Sequence, residues 1–255
     1  LVLMVNLSRQ YILNRQMKIF MSFISHELRT PLTSIRLLLE TMRDHRLDPE
    51  QEAEFIDNML LDADRLTRRI GSILNASRLE RRLLPSRKEF ISLNDLVKRF
   101  VELRRPAIES GGRTVVIETL EQVHILGDAE QLETVLANLL SNAERYSPPG
   151  THISVAVEKS GRWAVIRVQD EGQGIPLKER RKVFRLFYRG ESDAGSTNRG
   201  SGLGLYIVKG IVEKHRGKVS VRSRGPGTGS CFTVCLLYTS PSPRDLSTSR
   251  MPSSA

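Results

Sequence analysis

The chain has 255 residues and a formal net charge of +10, from 39 basic and 29 acidic side chains. Hydrophobic residues make up 39% and charged residues 27%, as in globular proteins, and no apolar run reaches the roughly 18 residues of a membrane helix. Aromatic residues are only 5%, with no basic stripe between them, so we expect no nucleic-acid partner. Two cysteines, Cys231 and Cys235, are too few for a disulfide framework or a zinc site.

The first predicted helix spans residues 15–43, after a segment 1–14 that we interpret as a truncated linker or membrane-proximal piece. His26 and Glu27 fall outside its apolar stripe and face solvent, where a neutral imidazole is a competent nucleophile. Glu27 can accept or orient the ring proton, and Thr30 presents a hydroxyl one turn later. The stripe, at three- or four-residue steps, is predicted to be buried: Ile24, Leu28, Leu32, Ile35, Leu39 and Met42.

A second helix follows a turn at residues 44–49, with Asp48 as its cap and Gln51 as the capping-box partner. Two helices joined by a tight turn form an antiparallel hairpin, and their narrow stripes need a second hairpin to complete a core. Residues 15–84 are therefore predicted to form a homodimeric four-helix bundle, although a coiled-coil stalk without chemistry would show the same pattern. The second helix has this heptad seam: Ile56, Met59, Ala63, Leu66, Ile70 and Ile73.

Residues 84–87 form a hinge, and residues 88–234 are predicted to form a second domain of mixed strands and helices. Asp128 is predicted to cap a helix that runs to Tyr146. The pattern predicts an α/β sandwich, a mixed sheet with helices on one face, so the whole chain is α+β. The remaining predicted helices are 94–109 and 203–215, and the predicted strands are 89–93, 114–118, 152–158, 163–169, 218–223 and 230–234.

Polar side chains on helix 129–146 are spaced for a ligand. Asn138, Asn142 and Tyr146 recur every fourth residue, with Arg145 beside them. A carboxamide oxygen suits Mg²⁺ and a guanidinium suits phosphate, although this face alone would also fit ordinary surface.

Two glycine-rich segments add to this pattern. Asp170 to Gly174 follows a strand, where the aspartate can accept a hydrogen bond from an exocyclic amine. Gly200 to Leu205 opens a helix whose free amides attract phosphate, although dinucleotide folds and plain turns use such runs too.

Five segments, in this order, resemble motifs of the sensor histidine kinases of two-component systems. The resemblance covers roughly residues 15–234 and implies the Bergerat-type ATP-binding fold shared with gyrase-type and heat-shock chaperone ATPases. The segments are Ser25 to Leu32 (the phosphoacceptor box), Asn138 to Ser147 (N box), Asp170 to Gly174 (G1 box), Val183 to Arg189 (F box) and Gly200 to Leu205 (G2 box).

The resemblance implies a protein histidine kinase that uses ATP and Mg²⁺ to phosphorylate His26. Glu27 would then be the proton acceptor, and Thr30 would act in dephosphorylation of the partner. Asn142 would be the metal ligand and Asp170 the adenine reader. Asn138 cannot activate water as the glutamate of the related ATPases does. The other implied nucleotide-binding residues are Arg145, which replaces the usual Lys, Tyr146, Gly172, Gly174, Gly200, Gly202, Leu203 and Gly204.

The resemblance also implies the partner and the location. The phosphoryl group would pass to the aspartate of a response-regulator receiver domain that docks near Thr33, Leu37 and Leu38. The polar residues 190–199 are predicted to form a mobile lid over the nucleotide. The chain would be the cytoplasmic portion of a bacterial protein, attached to the inner membrane only through a segment upstream of residue 1.

Two alternatives stay open. A dimeric scaffold that binds nucleotide only as a conformational switch would share these motifs, although an intact His26 and complete glycine boxes argue against it. Residues 235–255 resemble the translation of a sequencing adapter, so we expect the native final strand to end near Val234. A natural disordered Ser/Pro tail has the same composition.

Overall fold

The computed structural model describes residues 24–25, 28–45, 47–80, 87–190 and 202–239. The chain divides into two compact units, Leu1–Arg78 and Leu79–Ala255. In the part of the chain that is described, no helix is both long and apolar enough to cross a membrane.

The first unit contains two helices, α1 (residues 28–44) and the beginning of α2 (Pro49–Glu80). The backbone N–H of Gln51 donates to Oδ1 of Asp48 at 2.8 Å, and the N–H of Asp48 donates back to Oε1 of Gln51 at 3.3 Å. Each side chain therefore satisfies a backbone donor of the other residue, and the predicted capping box is confirmed.

The apolar stripes of the two helices are not buried within a single chain. Leu32 and Leu39, predicted to be buried, are 59% and 52% exposed, and Ile56 and Ile70 of the second seam are each 42% exposed. Burial of these stripes was predicted together with a second hairpin and stays a prediction, because the two helices of one chain form one narrow layer and cannot enclose their own stripes.

The described residues of the second unit, from 87 onward, form seven strands and three helices. The predicted element types are confirmed, with ends that differ by a few residues, as helix and strand boundaries commonly do. In chain order the elements are β1 (Glu89–Ser92), α3 (Leu93–Ser110), β2 (Thr114–Leu120), β3 (His124–Gly127), α4 (Ala129–Tyr146), β4 (His152–Ser160), β5 (Trp163–Asp170), α5 (Gly204–Lys214), β6 (Lys218–Arg222) and β7 (Ser230–Leu237).

The main sheet has five strands in the order β2-β4-β5-β7-β6. β2 and β4 are parallel, and the other neighbours are antiparallel, as expected for a mixed sheet. β4 and β5 join through a two-residue turn in which Gly161 has φ +57°. Alternate residues on one face form a fully buried core: Ile153, Val155 and Val157 of β4, Ile166 and Val168 of β5, and Phe232 and Val234 of β7.

β3 was not predicted. It pairs antiparallel with β1 in a separate two-stranded sheet, with Ile91 opposite Ile125. A run of four residues that ends in glycine carries too little periodicity to indicate a strand, and pairing with β1 stabilises it instead.

β7 is longer than predicted. It continues past Val234 to Leu237, with Leu236 buried and paired with Ala164 of β5. Tyr238 then donates its N–H to the carbonyl oxygen of Arg162 at 2.9 Å. The alternation of buried and half-buried side chains persists through Leu237, so the predicted end of the strand at Val234 is wrong.

Candidate functional site

A cavity of about 630 Å³, counting its open mouth, lies in the second unit and reaches the adjoining ends of β5 and β7. Four predicted nucleotide residues line it, namely Asn142, Tyr146, Asp170 and Gly174. Apolar side chains complete the wall: Ile175, Pro176, Val183, Leu205 and Phe232.

Asp170 is the buried carboxylate of this cavity, only 5% exposed. Its Oδ1 accepts the backbone N–H of Gly172 at 2.9 Å and that of Ser230 at 3.2 Å, and its Oδ2 accepts the Ser230 hydroxyl. Burial raises the pKa of Asp170, and these three hydrogen bonds oppose the shift. A carboxylate has about four acceptor sites, so one remains for a donor on a ligand.

The turn after Asp170 requires glycine at two positions. A Cβ on Gly172 would collide with the carbonyl oxygen of Tyr146, which accepts the N–H of Gln173 at 3.1 Å. Gly174 has φ +70°, and a Cβ there would collide with the carbonyl of Gly225. The turn therefore lies directly against the end of α4 at Tyr146 and against the backbone of Gly225.

A second loop, residues 223–229, supports this turn and was missed in the sequence. The N–H of Gly229 donates to the carbonyl of Gly172 at 2.9 Å, and that of Gly227 to Gln173 at 2.6 Å. The Ser223 hydroxyl donates to the Gly229 carbonyl at 2.7 Å and accepts the N–H of Ile175 at 2.9 Å. The sequence signal that could have indicated this loop is a glycine at every second position, 225, 227 and 229, immediately before β7.

α4 brings its two asparagines to different places. Asn142 lines the cavity. Asn138 donates Nδ2–H to the carbonyl of Thr134 at 2.8 Å, and its Oδ1 faces Gly204, where a Cβ would lie 2.7 Å away. Arg145 is exposed and does not belong to the cavity lining. The short distance between Asn138 and Gly204 shows that α4 packs closely against the first residue of α5.

α5 begins beside the cavity. Gly202 has φ +67°, and its carbonyl accepts the N–H of Phe187, which itself has φ +59°, at 3.1 Å. Leu203 is fully buried and starts the helical hydrogen bonds by accepting the N–H of Ile207 at 2.9 Å. Gly200 and most of the predicted lid lie outside the described residues.

The phosphoacceptor motif is described only in part. His26 and Glu27 lie outside the described residues. Thr30 is on α1 and exposed, as are Thr33 and Leu37, whereas Leu38 is half-buried.

Among the residues that the structure describes, no cluster of three or more His, Cys, Asp or Glu side chains could hold a metal ion. A hard cation in this cavity would have to bind the amide oxygen of Asn142 together with oxygen atoms of a small molecule bound in the cavity.

Comparison with known proteins assigns both units. Residues 16–82 match the family described as His Kinase A (phospho-acceptor) domain, and residues 127–240 match Histidine kinase-, DNA gyrase B-, and HSP90-like ATPase. The chain belongs to the sensor histidine kinases of two-component systems. Its second unit is the ATP-binding ATPase-type unit of this family.

Relatives support this assignment over most of the chain. The sensor-like histidine kinase SenX3 of Mycobacterium tuberculosis is 34% identical over 218 residues, which are 85% of this chain and 53% of the relative. The sensor protein SphS of Synechococcus elongatus is 34% identical over 239 residues, 90% of this chain and 57% of the relative. The chain thus spans about half the length of the curated relatives it matches.

Solved structures show the same fold. The Acinetobacter baumannii histidine kinase AdeS superposes with a TM-score of 0.65 at 21% identity, over 84% of this chain and 98% of that one. Histidine kinase ThkA, in complex with response regulator protein TrrA, gives a TM-score of 0.70 at 22% identity, over 91% of this chain and 64% of that one.

Proposed function

We propose that the chain is the catalytic core of a protein histidine kinase. ATP binds the cavity of the second unit, its γ-phosphoryl group is transferred to His26, and the phosphohistidine passes the group to an aspartate of a response regulator. The observation that carries this proposal is the buried Asp170 carboxylate, which lines the cavity and is held by Ser230 and Gly172 with one acceptor site left.

The base of ATP fits the enclosed part of the cavity. Asp170 accepts a hydrogen bond from the exocyclic amine of adenine, while Ile175, Val183 and Phe232 offer apolar surface to the ring faces. Guanine presents an oxygen where adenine has this amine, so a carboxylate favours adenine.

The phosphates lie toward α5 and Asn142. The N-terminal end of α5 is the positive end of the helix dipole and attracts anionic oxygens. The amide oxygen of Asn142 fits Mg²⁺, an ion that supplies charge neutralisation of the phosphates when bound. Arg145 is exposed on the same helix and adds positive charge there, outside the cavity lining.

The transfer step balances without a further reactant. A ring nitrogen of His26 attacks the γ-phosphorus, the bond to the bridging oxygen breaks, and ADP leaves with the electron pair. The ring proton passes to Glu27. Asn138 carries an amide, which cannot deprotonate a water, so ATP persists until His26 arrives.

The functional particle is a homodimer built by residues 15–84. Exposed apolar side chains on both helices, Leu32, Leu39, Ile56 and Ile70 among them, need a second copy to be removed from water. Residues 88–234 form the nucleotide domain, whose last strand, β7, continues to Leu237. A response regulator docks on α1 near Thr33 and Leu37, a partner class that the ThkA complex supports.

Autophosphorylation tests the proposal. The purified chain incubated with γ-labelled ATP and Mg²⁺ should acquire an acid-labile, base-stable label. His26→Gln should abolish the label, whereas His45→Gln, an exposed histidine after α1, should retain it. Labelling that survives His26→Gln refutes the assignment, and ATP binding with no labelling of the parent favours the nucleotide-switched scaffold.

A further inference from the structure

His215 joins the two helices of the nucleotide site at the end remote from Gly204. It follows the last residue of α5, and its Nδ1 lies 2.8 Å from the carbonyl oxygen of Ile211. Its Nε2 accepts the backbone N–H of Asp128 at 3.0 Å. A carbonyl needs a donor and an N–H needs an acceptor, so both contacts together select the neutral imidazole with its proton on Nδ1.

Asp128, only 7% exposed, is the cap of α4 and a meeting point for three chain segments. Its Oδ1 accepts the N–H of Gln131 at 3.1 Å, which begins α4. Its Oδ2 accepts the N–H of Arg87 at 3.0 Å, directly after the hinge from the first unit. The imidazole of His215 accepts the backbone N–H of Asp128 itself, which the Asp128 carboxylate does not bind.

The ring is also packed closely. A Cβ on Gly127 would lie 3.0 Å from Cδ2 and 3.3 Å from Nε2 of His215. The imidazole therefore lies against the backbone that leads into α4, with little room to rotate away.

We propose that neutral His215 is a positioning residue that holds the start of α4 against the end of α5, and that protonation of its ring weakens nucleotide binding. The inference rests on the proposed binding of ATP. α4 carries Asn142 and α5 begins at Gly204, so the spacing of these helices sets the width of the phosphate end of the site. A protonated ring would present N–H to the N–H of Asp128 across 3.0 Å, and that buried donor would lose its acceptor.

The surroundings of the ring shift the pKa of His215 in both directions. Burial lowers the pKa of His215, and Lys88 from the start of the domain and Lys214 of α5 lower it further. The hydrogen bond to Ile211 and the carboxylate of Asp128 oppose this. The neutral ring is thus the resting form at neutral pH, and its protonation requires a pH below the usual range of a histidine pKa.

The test compares affinity for a non-hydrolysable ATP analogue with Mg²⁺ by calorimetry between pH 8 and pH 5. The proteins are the full-length parent, His215→Gln, which keeps an acceptor but cannot titrate, and the matched control His124→Gln on β3. The analogue's own phosphate titrates in this range, so the difference between proteins carries the inference. We expect the parent and His124→Gln to lose roughly threefold to tenfold more affinity on acidification than His215→Gln, the loss of one hydrogen bond.

Parallel pH profiles for the parent and His215→Gln would overturn the inference while leaving the ATP site intact. Absence of binding by the parent at pH 8 would overturn the proposed function and this inference with it. Nitrogen-detected NMR of the parent's His215 ring provides a check that needs no variant. A proton on Nδ1 and none on Nε2 at pH 7.5 supports the inference, and a doubly protonated ring at that pH contradicts it.

Discussion

Ser230 and Asp170 lie directly opposite each other on β7 and β5, and Ser230 donates both its hydroxyl and its backbone N–H to the two oxygens of the Asp170 carboxylate. The pair is separated by 60 residues in sequence. Because Ser230 donates to both oxygens, the carboxylate plane is fixed relative to the cavity, and one acceptor site is left for a donor on a ligand.

The Ser230 hydroxyl should contribute to affinity by orientation. Ser230→Ala removes this donor, and we expect ATP affinity to fall by about tenfold, the value of one charge-assisted hydrogen bond. Ser230→Thr keeps the hydroxyl and serves as the matched control. Calorimetry of both variants provides the measurement, and equal affinity of Ser230→Ala and the parent would mean that the backbone donors suffice.

Asp170→Asn should weaken ATP binding without lowering the thermal stability of the fold. Burial raises the folded-state pKa of Asp170 above its unfolded value, so the ionised carboxylate costs stability at neutral pH, and this cost fades as pH falls through the folded pKa. Asparagine carries no charge. We expect an unchanged or higher Tm at pH 7.5, a difference from the parent that shrinks toward acid pH, and at least tenfold weaker ATP binding.

Thermal melts and calorimetry on the same preparations check both halves of this expectation. Glu171→Gln, at the exposed neighbouring position, is the control and should change neither quantity. A lower Tm for Asp170→Asn would show that the charged form stabilises the fold.

Arg216 should be a site for stabilisation. It follows α5 with φ +56°, in the left-handed region that favours glycine. The N–H of Gly217 donates to the carbonyl of Val212 at 2.8 Å and that of Arg216 to Glu213 at 2.9 Å, the pattern of a Schellman motif. Arg216→Gly should raise the free energy of unfolding by about 0.5–1 kcal/mol, because glycine adopts this conformation without strain.

Chemical denaturation measures this difference. Arg216→Ala removes the same side chain but keeps the strained backbone, so we expect it to give no gain. A similar gain for both variants would assign the effect to lost charge rather than to the backbone.

Thr30 should act on the regulator and not on ATP. It is exposed on α1, one turn after His26, and its hydroxyl is neither basic nor cationic. It can position a water for attack on the phosphoaspartate of a docked regulator. Thr30→Ala should therefore keep autophosphorylation near the parent rate and slow regulator dephosphorylation by roughly 100-fold.

Both rates are to be measured on one preparation, with Thr41→Ala, near the far end of the same helix, as the control. Equal loss of the two rates would mean that Thr30 only supports the helix. Absence of dephosphorylation by the parent would remove the role altogether.

Local patterns predicted the helices and most strands, because periodicity and capping signals such as Asp48 with Gln51 are contained within a few residues. The motif resemblance predicted Asp170 and Asn142, and both line the cavity. Ser223 and Ser230 were missed because their partners lie 48 and 60 residues away and become neighbours only when β6 and β7 join the sheet. The contact between His215 and Asp128, 87 residues apart, has the same origin.

The two edges of the five-stranded sheet have a consequence for how copies of this chain meet. β2 contains a register shift between Ile117 and Thr119, and β6 is five residues long with exposed Lys218 and Arg222 at its ends. Irregular, short or positively charged edges resist the addition of a strand from another molecule. Concentrated solutions of the nucleotide unit should therefore resist fibril-like aggregation, leaving contact between copies to the apolar faces of α1 and α2.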